Sequence, residues 1–251
     1  MKYFLPFALI LTLSSCTSYR YLKLDTPDIS LKRENGFADI ADSLQVTYQF
    51  YGNYGPLHLT ISNRMNKSLQ LDLGRSSLVV NDKAISLYSG AIEVNSINRG
   101  IVTVNTNIPQ QVLFIPAHTY IDLVPIHLTD QFFDSIPNEK FVKEPYFNYD
   151  SVIQERIKIA KFNQVESPLV FKTYLTFSIP DSAQKEFVQE HHFYITEIVK
   201  APIRPSEFRY MQSPNGDKFY VSQTRGTGVG LGLLVATAVI ASSAQHGNGN
   251  H

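Results

Sequence analysis

Strict alternation of apolar and polar side chains over short stretches is what most limits the folds open to this chain. LQVTYQF sets Leu44, Val46, Tyr48 and Phe50 against polar neighbours, and PLHLTISN sets Leu57, Leu59 and Ile61 against His58, Thr60 and Ser62. A period of two sends successive side chains to opposite faces of a strand, so both stretches read as half-buried strands. SLQLDL continues the pattern, and SSLVVNDKAISLY is split by a polar Asn81-Asp82 turn into a hairpin. GIVTVNT, QQVLFIPAHTYIDLVPI, PLVFKTYLTFSI and HHFYITEIVK follow, with Pro, Asn, Asp or Gly between them. One interior stretch reads differently. In DSVIQERIKIAKF, Ser151 stands as an N-cap with Gln154 three residues on, and Ile153, Ile157 and Ala160 fall at helical spacing. That predicts a short helix in a connection, although Ile157 and Ile159 also alternate.

The expected body is an antiparallel, immunoglobulin-like β-sandwich over residues 44–200, of roughly seven to nine strands. Fourteen tyrosines and sixteen phenylalanines suit half-buried pleated surfaces. With no tryptophan and one cysteine, the chain lacks the Cys…Trp…Cys core of true immunoglobulin domains, and apolar burial alone must hold the sandwich. A domain of this size buries about two-thirds of the surface its unfolded chain exposes, which is enough. Lysine plus arginine balance aspartate plus glutamate at 22 each, so no overall field favours nucleic acid.

The lone cysteine takes its meaning from its position. MKYFLPFALILTLSSC carries one charge, Lys2, then an apolar stretch through Leu13 and two small residues before Cys16. Residues 1–15 therefore read as a secretory signal peptide, too short to be retained as a spanning helix. Leu13-Ser14-Ser15-Cys16 resembles a bacterial lipobox, which implies cleavage before Cys16 and lipid attachment to its thiol. Several acyl chains, palmitate among them, would give stable anchoring at about 0.8 kcal/mol per buried methylene. Residues 16–43 mix charge, proline and small polar residues without a sustained period and read as a tether. In similar lipoproteins, acidic residues just after the cysteine accompany surface export. Thr17 to Lys23 has none, so the resemblance implies an outer-membrane lipoprotein facing the periplasm rather than displayed on the surface.

With LHLTISNRMNKSLQLDLGRSSLVVND, FIPAHTYIDL, SPLVFKTYLTFS and FYITEI, the chain resembles a group of uncharacterised Bacteroidetes-type lipoproteins with a single sandwich domain. The resemblance implies a fold and an address but no activity.

After a connector at 201–225, residues 226–244 are uncharged and would span roughly 28 Å as a helix, close to a bilayer core. Gly226, Gly228, Gly230 and Gly232 each cost about 1 kcal/mol relative to alanine in a helix. Gly228-x-x-x-Gly232 also supplies a small-residue face suited to helix association in lipid. The stretch is expected to be a glycine-rich helix that associates with the membrane and could associate with a second copy of itself, the alternative being a terminal helix buried in the protein. A polar tail, 245–251, closes the chain. A dinucleotide loop is excluded, because the third glycine position falls on Leu231 or Leu233.

Candidate chemistry is sparse. His118 and His127, with Asp122 and Asp130 nearby, match no compact metal spacing. His191 and His192 must face opposite ways on a strand. Ser76-Ser77 lacks a nearby base, and Asp72, Glu93 and Asp134 have no separation that sequence can judge. A non-catalytic protein without metal or cofactor is expected. Aromatic clusters offer more: Tyr51 and Tyr54 in QFYGNYGP, and Tyr146 and Tyr149 in EPYFNYD, could stack on sugars or anchor a protein interface. Two functions follow: a structural or assembly subunit of the envelope, or a lipid-tethered module that binds a glycan or a protein.

Overall fold

The computed structural model describes residues 16–88, 94–95, 111–147, 154–180, 186–212 and 216–225. They form fifteen strands, of which the first eight are β1 (Cys16–Asp25), β2 (Lys32–Arg33), β3 (Gly36–Ile40), β4 (Leu44–Gln49), β5 (His58–Asn63), β6 (Leu69–Val80), β7 (Lys83–Ser86) and β8 (Val94–Asn95). The others are β9 (Val112–Ile115), β10 (Tyr120–Leu123), β11 (Val142–Phe147), β12 (Gln154–Lys161), β13 (Val170–Ser178), β14 (Glu186–Ala201) and β15 (Lys218–Arg225). A single α-helical turn, α1, spans Arg209–Gln212. By its contacts the chain divides into two units, Tyr19–Ser222 and a second made of Met1–Ser18 with Gln223–His251. In the second, the Thr17 and Thr224 hydroxyls lie 3.1 Å apart in a hydrogen bond.

The strands form two antiparallel sheets. The nine-stranded sheet runs β11-β12-β14-β13-β6-β7, with β1 against β14 and β15, and β9 against β6. The six-stranded sheet runs β2-β3-β4-β5-β10-β8. Alternation explains the arrangement: Leu44, Val46 and Tyr48 on β4 and Leu59 and Ile61 on β5 are buried, and their neighbours are half-exposed. Inward side chains of both sheets share one core. At its centre the Phe193 ring lies 5.0 Å from Phe37, 5.3 Å from Tyr48, 5.5 Å from Phe50 and 5.2 Å from Phe171. Such ring pairs contribute about 0.5–1.5 kcal/mol each beyond area burial.

The stretch expected to be a tether is part of the fold. Residues Tyr19 to Asp25 of β1 pair with β14, and Tyr21, Leu22 and Leu24 are buried. Leu22 and Leu24 enter the main core, whereas Tyr21 faces a second cluster containing Ile157, Ile159, Val199, Ile203 and Phe208. A strand covered on both faces loses simple apolar–polar alternation, which is why the sequence hides it. Arg20 is only 8% exposed, bonded to Asp134 at 2.7 Å with its guanidinium 4.6 Å from the Phe132 ring centre. Of the expected connector, 201–225, the described residues 201–212 and 216–225 are likewise structured. Its Ile203 and Phe208 cover the outer face of the nine-stranded sheet, Tyr21 Oη donates to the Ile203 carbonyl, and β15 completes the sheet.

The expected helix within DSVIQERIKIAKF is instead strand β12, paired with β11 on one side and β14 on the other. Ile157 and Ile159 lie on one face of a strand and are both buried beneath Phe208, whereas a helix would turn them to opposite sides. The supposed cap, Ser151, lies outside the described residues, as does the expected helix at 226–244. No helix among the described residues is long and apolar enough to cross a membrane.

One asparagine ties the sheets' connections together. The Asn63 amide, 1% exposed, donates to the carbonyls of Lys67, Ile115 and Pro116, and its oxygen accepts from Met65 N.

Replacing Phe193 by alanine is expected to cost about 3–5 kcal/mol, read as a lowered urea midpoint with unchanged slope. A chain beginning at Leu44 is expected to lack a cooperative melting transition, because β1 and β3 would be missing. A chain beginning at Thr17 should melt cooperatively.

Candidate functional site

The connection between β4 and β5, Phe50 to Leu57, is pinned along its backbone. Phe50 N donates to Gly216 O at 2.8 Å, Tyr220 N to Gly52 O at 3.0 Å, and Tyr54 N to Tyr220 O at 2.7 Å. Gly52 has φ 126°, and a Cβ there would lie 2.9 Å from Pro56 Cγ, so only glycine fits the turn. Tyr51 projects from this fixed segment with 51% of its surface exposed. Its ring stacks on His58, with centroids 4.0 Å apart and planes within 4°. The His58 Nε2 group lies 3.1 Å from the Tyr51 carbonyl oxygen, where it donates and fixes the imidazole. Burial holds the His58 pKa below its ordinary value, partly offset by that hydrogen bond, so the imidazole is uncharged near neutral pH.

Beside this stack lies a groove of about 320 Å³ in the outer face of the six-stranded sheet, lined by Gln49, Tyr51, His58, Thr60, Asp122 and Val124. Strand register creates it. Gln49 is opposite His58, and Thr47, Thr60 and Asp122 form the next row across β4, β5 and β10. Because side chains alternate, the same strands that bury Val46, Tyr48, Leu59 and Ile61 must present these polar groups outward. Thr60 Oγ1 donates to Asp122 Oδ1 at 2.6 Å and orients the carboxylate. Among the described residues, Asp122 is the one formally charged side chain lining the groove.

A second polar constellation lies between the sheets. Thr173 Oγ1 donates to Tyr48 Oη at 3.2 Å, Tyr48 Oη meets His191 Nδ1 at 2.8 Å, and His191 Nε2 lies 3.3 Å from Asp39 Oδ2. The directions agree if Tyr48 donates to Nδ1 and Nε2–H donates to Asp39, leaving His191 neutral. This is an Asp–His–hydroxyl chain, but the hydroxyls of Tyr48 and Thr173 belong to residues with no solvent exposure. It joins β3 and β4 of one sheet to β13 and β14 of the other as a clasp. Burial lowers the His191 pKa, opposed chiefly by Asp39 and also by Asp28. Burial also raises the Tyr48 pKa, keeping the phenol protonated. His192, the neighbour of His191, is exposed and hydrogen-bonded to Glu190.

The other candidate residues separate. Tyr54 is half-buried against the core with its hydroxyl on Ser222 O at 2.8 Å, so it braces the loop that carries Tyr51. Tyr146 packs on Phe208 at 4.9 Å in the second cluster, away from Tyr51's sheet. Tyr149, Glu93, Gly226, Gly228, Gly230 and Gly232 lie outside the described residues, and Cys16 opens β1. His118 binds Asn66 Oδ1 in the turn before β10, whereas His127 follows that strand. Ser76 fills an irregularity in the β6–β13 ladder, donating to Asp72 O and accepting from Thr176 N. Asp72 accepts from Arg75 N, and Asp134 pairs with Arg20. Among the described residues, no group of three or more His, Cys, Asp or Glu is placed to hold a metal ion. Sequence reasoning singled out Tyr51 but missed His58 and Asp122 as its neighbours. Strict alternation on β5 and β10 marked them as outward-facing, but strand pairing was needed to bring them together.

Comparison with protein-family models, curated proteins and solved structures finds no match to this chain.

Both depressed histidines make stability depend on pH in one direction. Below about pH 6.5 the unfolded chain takes up protons that the folded chain resists. Stability is therefore full above that value and falls as pH drops through the lower folded-state values. Melting temperatures measured downward from about pH 7.5 should fall, with a shallower slope in His191→Gln. Tyr48→Phe should cost about 1–3 kcal/mol at neutral pH by leaving His191 Nδ1 without its donor.

Proposed function

We propose that this chain is a non-catalytic lipoprotein of the bacterial envelope, held to the outer membrane by lipid on Cys16, whose β body is a binding module. The body is taken as immunoglobulin-like in the loose sense of two antiparallel sheets closing on one core, and as periplasm-facing. The observation that carries the reading is Tyr51: an exposed ring on a backbone-pinned loop, stacked on an uncharged His58 at the mouth of a polar groove. Exposed aromatic rings held rigidly add contact area at little entropic cost, as recognition surfaces require. The lipid anchor is supported by the Leu13-Ser14-Ser15-Cys16 sequence. Tyr19, the third residue after Cys16, already pairs with Ala201, so the chain between them reaches about 10 Å at most. A lipidated Cys16 would hold the body close to the bilayer surface, without a long leash.

A second reading, an assembly subunit, is favoured by outward apolar side chains on the nine-stranded sheet: Phe114 at 56% exposure, with Val112, Val188 and Tyr174. They alternate with Gln70, Asp72 and Thr176 in the ladder, so the patch is interrupted.

Cys16→Ser should move the protein from the membrane pellet to the soluble fraction. In that soluble form, Tyr51→Ala combined with Asp122→Ala should reduce co-sedimentation with isolated envelope material. Unchanged sedimentation of the double variant would remove the groove as the binding surface, and loss of sedimentation in Phe114→Ser alone would favour the assembly reading.

A further inference from the structure

We infer that the groove beside Tyr51 binds a neutral, hydroxyl-rich glycan, with one sugar ring stacked on Tyr51 and its hydroxyls held by Asp122 and Gln49. The inference rests on the binding-module reading and names the ligand class of that same groove.

Charge narrows the class first. Among the described residues no lysine or arginine lines the groove and its one formal charge is the Asp122 carboxylate, so phosphate, sulfate and uronate ligands meet repulsion without compensation there. Apolar ligands fit no better, because Gln49, His58, Thr60 and Asp122 would lose water without gaining hydrogen bonds. An extended peptide adding a strand needs an open sheet edge, whereas this groove lies on the face of β4, β5 and β10, each paired on both sides.

What remains is a ligand with an apolar face and a polar rim, and a pyranose has both. Its axial C–H groups suit the face of an aromatic ring, and Tyr51 is the more exposed member of a coplanar pair. The ring cannot collapse onto the sheet, because His58 backs it and the flanking backbone is hydrogen-bonded at Phe50, Gly52 and Tyr54. Asp122 offers paired acceptors for adjacent hydroxyls, and Gln49 supplies both donor and acceptor. Hydrogen bonds to a charged carboxylate are the stronger kind, which makes Asp122 the orienting group. The volume, about 320 Å³, is at the small end for ligand sites and suits one or two sugar units with the remaining chain outside.

The test is calorimetric titration of the soluble Cys16→Ser protein with neutral trisaccharides of glucose and of N-acetylglucosamine, with a trigalacturonate as the acidic counterpart. A parallel arm measures co-sedimentation with insoluble cellulose and chitin, which separates a polymeric source from a free oligosaccharide. Binding of a neutral glycan in either arm, weakened at least tenfold by Tyr51→Ala and by Asp122→Ala and retained in Tyr51→Phe, is the expected result. Melting curves matching the parent show that the variants are folded. Equal affinity for the acidic trisaccharide, indifference to both alanine variants, or no binding of any neutral glycan in both arms overturns the inference. If neutral glycans fail while the double variant still loses envelope co-sedimentation, the glycan class is wrong and the binding module stands. If that co-sedimentation is unaffected, the module reading itself falls.

Discussion

Phe193 is where the two sheets are committed to each other. Its ring meets Phe37 and Tyr48 from the six-stranded sheet, Phe50 just beyond β4, and Phe171 from the neighbouring strand of its own sheet. These contacts hold the register of β3, β4, β13 and β14, because a slip by one residue would send a ring to the opposite face. With a single cysteine and no disulfide available, packing of this kind must supply the stability that a covalent brace gives many secreted β domains.

Around that centre, inward polarity and outward polarity have different roles. The Asp39–His191–Tyr48–Thr173 chain has the hydrogen-bond logic of a proton relay, yet its His191, Tyr48 and Thr173 side chains are enclosed by the sheets it joins. Its effect is to specify which strand lies opposite which, at the cost of a pH-sensitive core. On the outer face, the same alternation that fills the core sets out Gln49, His58, Thr60 and Asp122 beneath an exposed tyrosine. Core and groove are two faces of the same strands, so the rigidity of one is inherited by the other.

The main strands of the body could be read from the sequence, because β4, β5 and β13 are each covered on one face and alternate clearly. Strand β1 could not, because Tyr21 and Leu22 are both buried on opposite sides and the chain there shows no period. Strand β12 misled for a related reason: Ile153, Ile157 and Ala160 fit a helix as well as Ile157 and Ile159 fit a strand, and only β11 and β14 on either side decide the matter. Tyr51 was visible as an aromatic among glycines, whereas its partnership with His58 depends on a loop held by β15, more than 160 residues further along the chain.

By itself, the sequence determined that this chain would be mostly β, antiparallel and built without disulfides, because alternation and cysteine count are local properties. It also set out an N-terminal stretch that resembles a lipoprotein signal. Only the tertiary structure decided where the domain begins, that residues 19–25, 201–212 and 216–222 belong to it, which histidine is enclosed, and that Tyr51, His58 and Asp122 share one groove. Each of these depends on pairing between strands far apart in the chain, and a local pattern carries no record of which distant strand will lie beside it.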